Sequence, residues 1–182
     1  MRVLQSISEA RTYLDSGGIL AYPTEAVYGL GCDPWNTCAL EKLLEIKHRP
    51  SSKGLIVLIA EWSQLFDLIG DVSTSCLDRA CSTWPGPVTW VFPKSAKVPA
   101  LLSGDYNTIA VRMPAHKLAH ELCFAGPVVS TSANRTGATP ARSIEELHTQ
   151  FSGQLEFVLA GELGTASAPS AIYDVQTGLR LR

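Results

Sequence analysis

Short, largely apolar segments alternate along this chain with amphipathic segments of helical period. Residues 55–59 are five apolar residues in a row, which is the length and composition of a buried strand. Comparable segments, also predicted to be strands, lie at residues 19–22, 88–92, 109–111, 128–129 and 157–159. This alternation predicts an α/β fold in which helices flank a twisted, mixed sheet, although it does not give the order of the strands.

Capping residues mark where the predicted helices begin. Ser6 and Glu9 have the spacing of a capping box ahead of a first amphipathic helix, which the glycines at positions 17 and 18 should end. Asn36 precedes a second helix with apolar residues at positions 39, 40, 43 and 44, and this helix should end before Pro50. Two further helices are predicted, at residues 118–124 and 144–151.

The length of 182 residues suits one domain, spanning residues 1–182, whose core needs no metal or disulfide. The five cysteines are odd in number and include no Cys-x-x-Cys pair, which indicates reduced thiols rather than a disulfide framework or a zinc site. No export signal is evident, and no apolar run approaches the roughly 20 residues of a membrane-spanning helix. We therefore expect a cytoplasmic protein.

Lys47, His48, Arg49 and Lys53 concentrate positive charge on a chain whose formal net charge is −2. The negative total argues against a protein that coats nucleic acid, because such binding neutralises many phosphates. Pro50 biases Arg49 towards an extended conformation, in which Lys47 and Arg49 point to the same side and can grip one phosphate chain. A second interpretation fits as well: the cations complement the negative end of the preceding helix.

Polar residues and glycines follow the first predicted strand. Thr24 and Glu25 come soon after Tyr22, and Gly29 and Gly31 then permit close approach of the backbone. α/β proteins often bind ligands at strand ends, although a turn capped by Thr24 explains the segment equally well. No third glycine completes a dinucleotide fingerprint and no P-loop occurs, so any nucleotide must be held in another way.

A second polar segment follows the strand predicted at residues 128–129. Ser130, Ser132 and Asn134 share one face if that strand continues, and their hydroxyl and amide groups suit the polar atoms of a nucleotide. Short polar residues at a strand end are also common turn formers. Ser132 is a poor candidate for a hydrolase nucleophile, because the motif Gly-x-Ser-x-Gly is missing.

Six short motifs occur in a fixed order along the chain. They are Pro23-Thr24-Glu25, Lys47-x-Arg49, Trp84-Pro85-Gly86-Pro87-Val88-Thr89, Val111-Arg112-Met113-Pro114, Ser132-Ala133-Asn134 and Pro169-Ser170-Ala171-Ile172. In this combination they resemble the YrdC/TsaC family of threonylcarbamoyl-AMP synthases. Two further segments are similar to its short, single-domain bacterial branch: Gly31-Cys32-Asp33-Pro34 and Lys53-Gly54-Leu55-Ile56.

The resemblance implies a YrdC-like fold with a concave ligand cavity and the activity of a nucleotidyltransferase. Such an enzyme joins L-threonine, bicarbonate or CO2, and ATP into L-threonylcarbamoyladenylate, releases pyrophosphate and uses Mg²⁺. A downstream transfer complex then uses the adenylate to make N6-threonylcarbamoyladenosine in tRNA. Direct contact between the enzyme and RNA is left open.

The resemblance also implies roles for individual residues. The ATP-binding residues would be Lys47, Arg49, Thr108, Ser132, Asn134, Pro140 and Arg182, and the threonine side would be lined by Thr24, Arg112, Ser130 and Ser170. Arg112 is expected to hold the threonine carboxylate in bidentate fashion, although a surface ion pair is the simpler interpretation of this residue alone. No covalent nucleophile is predicted, because carboxylated threonine can itself attack the α-phosphate once it is aligned.

Two other functions stay open. One is a noncatalytic module that binds double-stranded RNA or tRNA, which the negative net charge disfavours. The other is a nucleotide-dependent switch that hydrolyses ATP, which the missing P-loop disfavours. His116 and His120 would share one face of a helix, but no further ligands accompany them, so we predict no metal bound by protein side chains.

Overall fold

A computed structural model describes residues 1–182 and shows one nine-stranded sheet with seven helices. The strands are β1 (Arg2–Leu4), β2 (Leu20–Pro23), β3 (Tyr28–Gly31), β4 (Ile56–Leu58), β5 (Val88–Pro93), β6 (Thr108–Arg112), β7 (Val128–Ser132), β8 (Phe157–Leu159) and β9 (Ala171–Asp174). The helices are α1 (Ile7–Asp15), α2 (Thr37–Ile46), α3 (Trp62–Leu68), α4 (Thr74–Cys81), α5 (Ala100–Ser103), α6 (Lys117–Leu122) and α7 (Ile144–Phe151). None of these helices combines the length and the apolar character that a membrane crossing requires.

The sheet is mixed, as the sequence predicted. Its strand order is β1-β8-β2-β3-β7-β4-β6-β5-β9. The pairs β1–β8, β8–β2, β4–β6 and β5–β9 are parallel, and the other four are antiparallel. Strands that lie far apart in the sequence therefore become neighbours, and their polar ends come together.

The helix caps predicted from the sequence are present in the structure. The Ser6 hydroxyl accepts from the Glu9 backbone N–H at the start of α1, but the Glu9 carboxylate reaches back to the N–H of Gln5 rather than to that of Ser6. The Asn36 side chain accepts from the Ala39 N–H at the start of α2, 3.0 Å away. Both predicted helix starts are confirmed.

Two hydrophobic clusters cover the sheet, and alternation along the strands divides residues between them. Leu14 of α1 and Leu122 of α6 pack with Leu58 of β4 in the smaller cluster. Val57, one residue earlier on β4, belongs instead to the larger cluster with Leu43 of α2. Successive side chains of a strand point to opposite faces, so the two clusters mark the two faces of the sheet.

The turn after α2 differs from the extended segment that Pro50 suggested. Lys47 caps the helix in a right-handed conformation, and His48 has a φ of 50°, in the left-handed region. The Arg49 N–H donates to the Leu44 carbonyl, and the His48 N–H to that of Glu45, both at 2.9 Å. These are the two hydrogen bonds of a Schellman motif. The prediction that Lys47 and Arg49 point to the same side of an extended strand is therefore wrong.

Candidate functional site

A cavity of about 580 Å³ opens on the sheet face that also packs α1 and α6. Its floor includes a row of half-buried residues that pair across four neighbouring strands: Val91 of β5, Ala110 of β6, Ile56 of β4 and Ser130 of β7. The row is apolar except for Ser130. The volume lies within the range of pockets that hold small molecules and nucleotides.

The structure brings most of the sequence-predicted residues to the wall of this cavity. Lys47 and Asn134 are the two that do not line it. The nine that do are Thr24, Arg49, Thr108, Arg112, Ser130, Ser132, Pro140, Ser170 and Arg182. Their roles stay predictions, but they lie together although they come from distant parts of the chain.

Three of the cations in the cavity wall have no acidic partner. They are Arg49, Lys53 and Arg182. The Arg49 Nη2 donates to the Gly54 carbonyl at 2.7 Å, while its buried Nε has no hydrogen-bond partner. Burial lowers the pKa of Arg49, and the positive charge of Arg182 lowers it further. An anion bound here would offset the repulsion between Arg49 and Arg182, so we predict that this part of the wall, the candidate anion-binding end, holds an anion.

Lys47 lies behind the wall rather than in it. Its side chain is almost fully buried, and its Nζ contacts the carbonyl oxygens of Ser132 and Asn134. The Lys47 carbonyl in turn accepts from both the N–H and the hydroxyl of Thr136. Burial lowers the pKa of Lys47 to about 8, with a smaller contribution from Arg49. In this arrangement Lys47 holds the segment that contains Ser132 and Asn134.

Ser132 and Asn134 do not share a strand face, because β7 ends at Ser132. The chain turns there, and the Asn134 N–H donates to the Ser132 carbonyl at 2.9 Å. The Ser132 hydroxyl donates to the Asn134 side-chain oxygen at 2.6 Å, and the Asn134 amide group donates to the carbonyls of Arg135 and Ala138. Ser130 and Ser132 therefore lie on β7, but Asn134 lies beyond it and does not share their strand face. The Asn134 side chain instead stabilises the turn through these hydrogen bonds.

Hydroxyl groups also line the cavity, and the Arg182 Nη2 donates to the carbonyl of one of these residues, Ser170, at 3.2 Å. The Thr24 hydroxyl donates to the Val27 carbonyl at 2.6 Å and so fixes the turn between β2 and β3. The Ser170 and Thr89 hydroxyls share a hydrogen bond of 2.9 Å. Thr89 is fully buried and was not singled out from the sequence, although it belongs to the motif that begins at Trp84.

Arg112 forms an ion pair that is largely buried. The simpler interpretation of its sequence position, a pair on the surface, is therefore wrong. Its Nη2 contacts the Glu25 Oε1, and the two side chains are 11% and 16% exposed. Its Nε donates to the Gly86 carbonyl at 2.9 Å. The same Glu25 oxygen accepts the backbone N–H groups of Ala115 and His116. The Nε and Nη2 side of the guanidinium is thus occupied by the protein, which leaves only the remaining N–H groups for a ligand.

A strap between β8 and β9 closes one side of the cavity. Ala166, Ala168, Pro169 and Ser170 line it. The strap is held where the Gly164 N–H donates to the Thr24 carbonyl and the Ala166 N–H to the Glu25 carbonyl, both at 2.9 Å. Sequence reasoning found only its last residues, because the rest has neither an apolar period nor a charged motif.

His116 and His120 do not form the helix-face pair considered from their spacing. His116 is the N-cap of α6, where its Nδ1 accepts from the Ala119 N–H and its Nε2 lies 3.0 Å from the Glu162 carbonyl oxygen. The His120 Nδ1 lies 3.1 Å from the Pro114 carbonyl oxygen. Each imidazole thus contacts backbone, and no three His, Cys, Asp or Glu side chains converge in residues 1–182. That the two histidines bind no metal stays a prediction.

Known proteins resemble this chain over nearly its whole length. A model of the Sua5/YciO/YrdC family, described as "Telomere recombination", matches residues 12–181. A Coxiella burnetii protein named threonylcarbamoyl-AMP synthase is 46% identical over 180 residues, which are 98% of this chain and 97% of that protein. A Methylobacillus flagellatus protein of the same name is 49% identical over 172 residues, covering 93% and 95%.

Solved structures agree with these sequence matches. The crystal structure of P. abyssi Sua5 complexed with L-threonine superposes with a TM-score of 0.91 at 31% identity. The match covers 99% of this chain but only 56% of that protein, so this chain spans about half of its length. E. coli YciO shares the fold, with a TM-score of 0.80 at 24% identity over 99% of this chain. The chain belongs to the Sua5/YciO/YrdC family.

Proposed function

We propose that this chain is a nucleotidyltransferase that makes L-threonylcarbamoyladenylate from L-threonine, bicarbonate or CO2, and ATP, with release of pyrophosphate. The product serves tRNA processing, as the precursor of N6-threonylcarbamoyladenosine. The observation that carries the proposal is one cavity whose wall combines unpaired cations with hydroxyl groups and an arginine. Three cations without acidic side-chain partners line it together with Arg112 and the hydroxyl groups of Thr24, Ser130 and Ser170. Relatives of nearly equal length carry the name of this activity.

The residues of the wall match what this reaction requires. Transfer of the adenylyl group places the α-phosphate within reach of the carboxylated threonine and builds negative charge on the departing pyrophosphate. Arg49, Lys53 and Arg182 supply positive charge for the triphosphate. Arg112 supplies a guanidinium for the amino-acid carboxylate, and the strap at Ala166–Ser170 restricts water, which would hydrolyse the carbamate.

Mg²⁺ fits this cavity as a companion of ATP rather than as a metal held by the protein. The wall carries one carboxylate side chain, Glu25, which already contacts Arg112. Mg²⁺ in nucleotide sites commonly binds phosphate oxygens, water and only one or two carboxylates. We therefore propose no protein ligand for it. Bicarbonate as the carbon source, the downstream transfer complex, direct contact with RNA and a cytoplasmic location also belong to the proposal.

One incubation tests the reaction against both alternatives. With ATP, threonine and bicarbonate together, we expect mass spectrometry to detect threonylcarbamoyladenylate and a coupled assay to detect pyrophosphate. Omission of threonine or bicarbonate should abolish pyrophosphate release, because ATP then has no acceptor. A noncatalytic RNA-binding module would form neither product. Equal release from ATP alone, or release of inorganic phosphate instead, would contradict the proposal.

The Arg49→Ala variant tests the anion-binding end. We expect ATP affinity to fall about 10- to 150-fold, since a lost hydrogen bond to a charged group is worth roughly 1.5–3 kcal/mol. Calorimetric titration with ATP measures the effect, and threonine affinity should change little. Lys42→Ala is the matched control, because Lys42 is an exposed cation on α2 outside the cavity. Unchanged ATP affinity in Arg49→Ala would favour the interpretation that the cations only complement the end of α2.

A further inference from the structure

Tyr106 contributes an aromatic ring to the cavity wall without packing into the core. It lies in the segment between α5 and β6 and is 56% exposed. Its ring stacks on no other aromatic ring and belongs to neither hydrophobic cluster. The other four tyrosines are buried or pack against a second aromatic ring: Tyr13, Tyr22, Tyr28 and Tyr173. An exposed aromatic residue is ordinary on a protein surface, but one in a cavity wall is available to a ligand.

Backbone contacts attach the segment before Tyr106 to a cationic segment of the wall. The Asp105 N–H donates to the Ser52 carbonyl at 3.1 Å, and Gly104 forms an antiparallel bridge with Lys53. Both Lys53 and Tyr106 line the cavity. The position of the aromatic ring relative to the cations is therefore set by hydrogen-bonded backbone rather than by a free loop.

The Tyr106 phenol also lies close to Arg49. Burial lowers the pKa of Arg49, as does the positive charge of Arg182, whereas Tyr106 raises it to a smaller extent. Because electrostatic effects between such groups fade beyond about 10 Å, the phenol and the two guanidinium groups belong to one part of the wall. This part is the candidate anion-binding end.

A ligand that fits this part of the wall combines negative charge with a flat ring. Inorganic phosphate or pyrophosphate would use the cations alone and would leave the Tyr106 ring exposed. A nucleotide would use both, because its phosphates pair with guanidinium groups and its base stacks on an aromatic face. Leu102 and Leu181 line the same cavity and add apolar surface for a base. A nucleoside triphosphate is therefore the ligand class that suits these residues together.

We propose that Tyr106 binds the adenine base of ATP by stacking, next to the cations that bind the triphosphate. The inference rests on the proposed function and adds to it a residue that the sequence motifs did not identify. Stacking tolerates different bases, since every base has a π face, so Tyr106 orients the nucleotide and does not select adenine over guanine. With the base on Tyr106 and the phosphates on Arg49, ATP can lie along the wall in only one direction.

The test compares ATP with ribose 5-triphosphate, which keeps the ribose and the three phosphates and lacks only the base. Calorimetric titration should show that the wild-type protein binds ATP more tightly. In Tyr106→Ala, ATP affinity should fall about 5- to 150-fold, the usual effect of losing one base–aromatic stack, whereas the affinity for ribose 5-triphosphate should not change. Arg49→Ala should instead weaken both ligands alike, because it removes a charge that binds phosphate.

Two control variants should bind ATP as the wild type does. Tyr106→Phe keeps the ring, and Phe66→Ala removes an exposed ring of α3 that does not line the cavity. Unchanged ATP affinity in Tyr106→Ala, or an equal loss of affinity for both ligands, would overturn the inference.

Equal binding of the two ligands by the wild type would overturn the inference too, even if Tyr106→Ala did not fold. The proposed function would survive each of these results as long as the wild type forms threonylcarbamoyladenylate. Failure of the wild type both to bind ATP and to form the adenylate would instead refute the proposed function.

Discussion

Gly31→Ala is expected to destabilise the protein by about 3 kcal/mol or more, because an added methyl group would overlap backbone that cannot move aside. A Cβ at this position would lie 2.2 Å from the Val129 carbonyl oxygen and 2.9 Å from side-chain atoms of Tyr22 and Val128. Gly31 ends β3, which lies between β2 and β7 in the middle of the sheet. Urea denaturation followed by circular dichroism measures the loss of unfolding free energy.

Gly29→Ala is the matched control two residues earlier on the same strand. There the three nearest atoms to the added Cβ belong to the Thr24 and Tyr22 side chains, at 3.2–3.3 Å, and none is backbone, so a shift of a few tenths of an ångström removes the overlap. We expect a loss of about 1 kcal/mol. Equal losses in the two variants would show that strand propensity, which both substitutions change alike, outweighs the overlap at Gly31.

These two glycines show how far the sequence could be interpreted. Both were predicted to permit close approach of the backbone, and each has a close neighbour. At Gly31 it is the backbone of β7, whereas Gly29 lines the cavity. A glycine in the sequence indicates that a side chain would not fit at that position, but it does not indicate which group occupies the space. Only the pairing of strands distant in sequence separates the two roles.

The elements that the sequence predicted are those with strong local signals. Apolar segments gave β2, β4, β5, β6, β7 and β8, and apolar period with a cap gave α1 and α2. The helices predicted at residues 118–124 and 144–151 are α6 and α7. β1 is a short, largely exposed edge strand, and β3 reads Tyr-Gly-Leu-Gly, a sequence of low strand propensity. Neighbouring strands supply the hydrogen bonds that stabilise β1 and β3. α3 did carry a signal, since Glu61 and Gln64 form a capping box.

The candidate site was also predicted only in part from the sequence. The family resemblance implied eleven binding residues, and nine of them line the cavity. The motifs did not reveal that Glu25 pairs with Arg112, that Lys47 points away from the cavity, or that a strap closes one side. Each of these features is a contact between segments far apart in sequence. A motif identifies the residue types at a site, but the tertiary fold determines which of them face the ligand.

Lys47→Met is expected to impair both stability and ATP binding, unlike Arg49→Ala, which should impair ATP binding alone. Methionine fills similar space but leaves the buried carbonyls of Ser132 and Asn134 without the Nζ that now contacts them. Each unpaired buried acceptor costs about 1–3 kcal/mol, so unfolding free energy should fall by about 2–5 kcal/mol. Because the Ser132 turn loses its support, ATP affinity should fall about 100-fold, which corresponds to roughly 3 kcal/mol.

Denaturation, calorimetry with ATP and hydrogen exchange of residues 132–136 measure these effects, with Lys42→Met as the exposed control on α2. The dependence on pH gives an independent check. Burial lowers the pKa of Lys47 from 10.5 to about 8, so between these values the unfolded chain binds a proton that the folded protein has lost. Wild-type stability relative to Lys47→Met should therefore rise as pH increases from about 8 to about 10.5. If Lys47→Met kept its stability and its slow exchange while ATP affinity fell, Lys47 would bind the nucleotide directly and the role assigned to it here would be wrong.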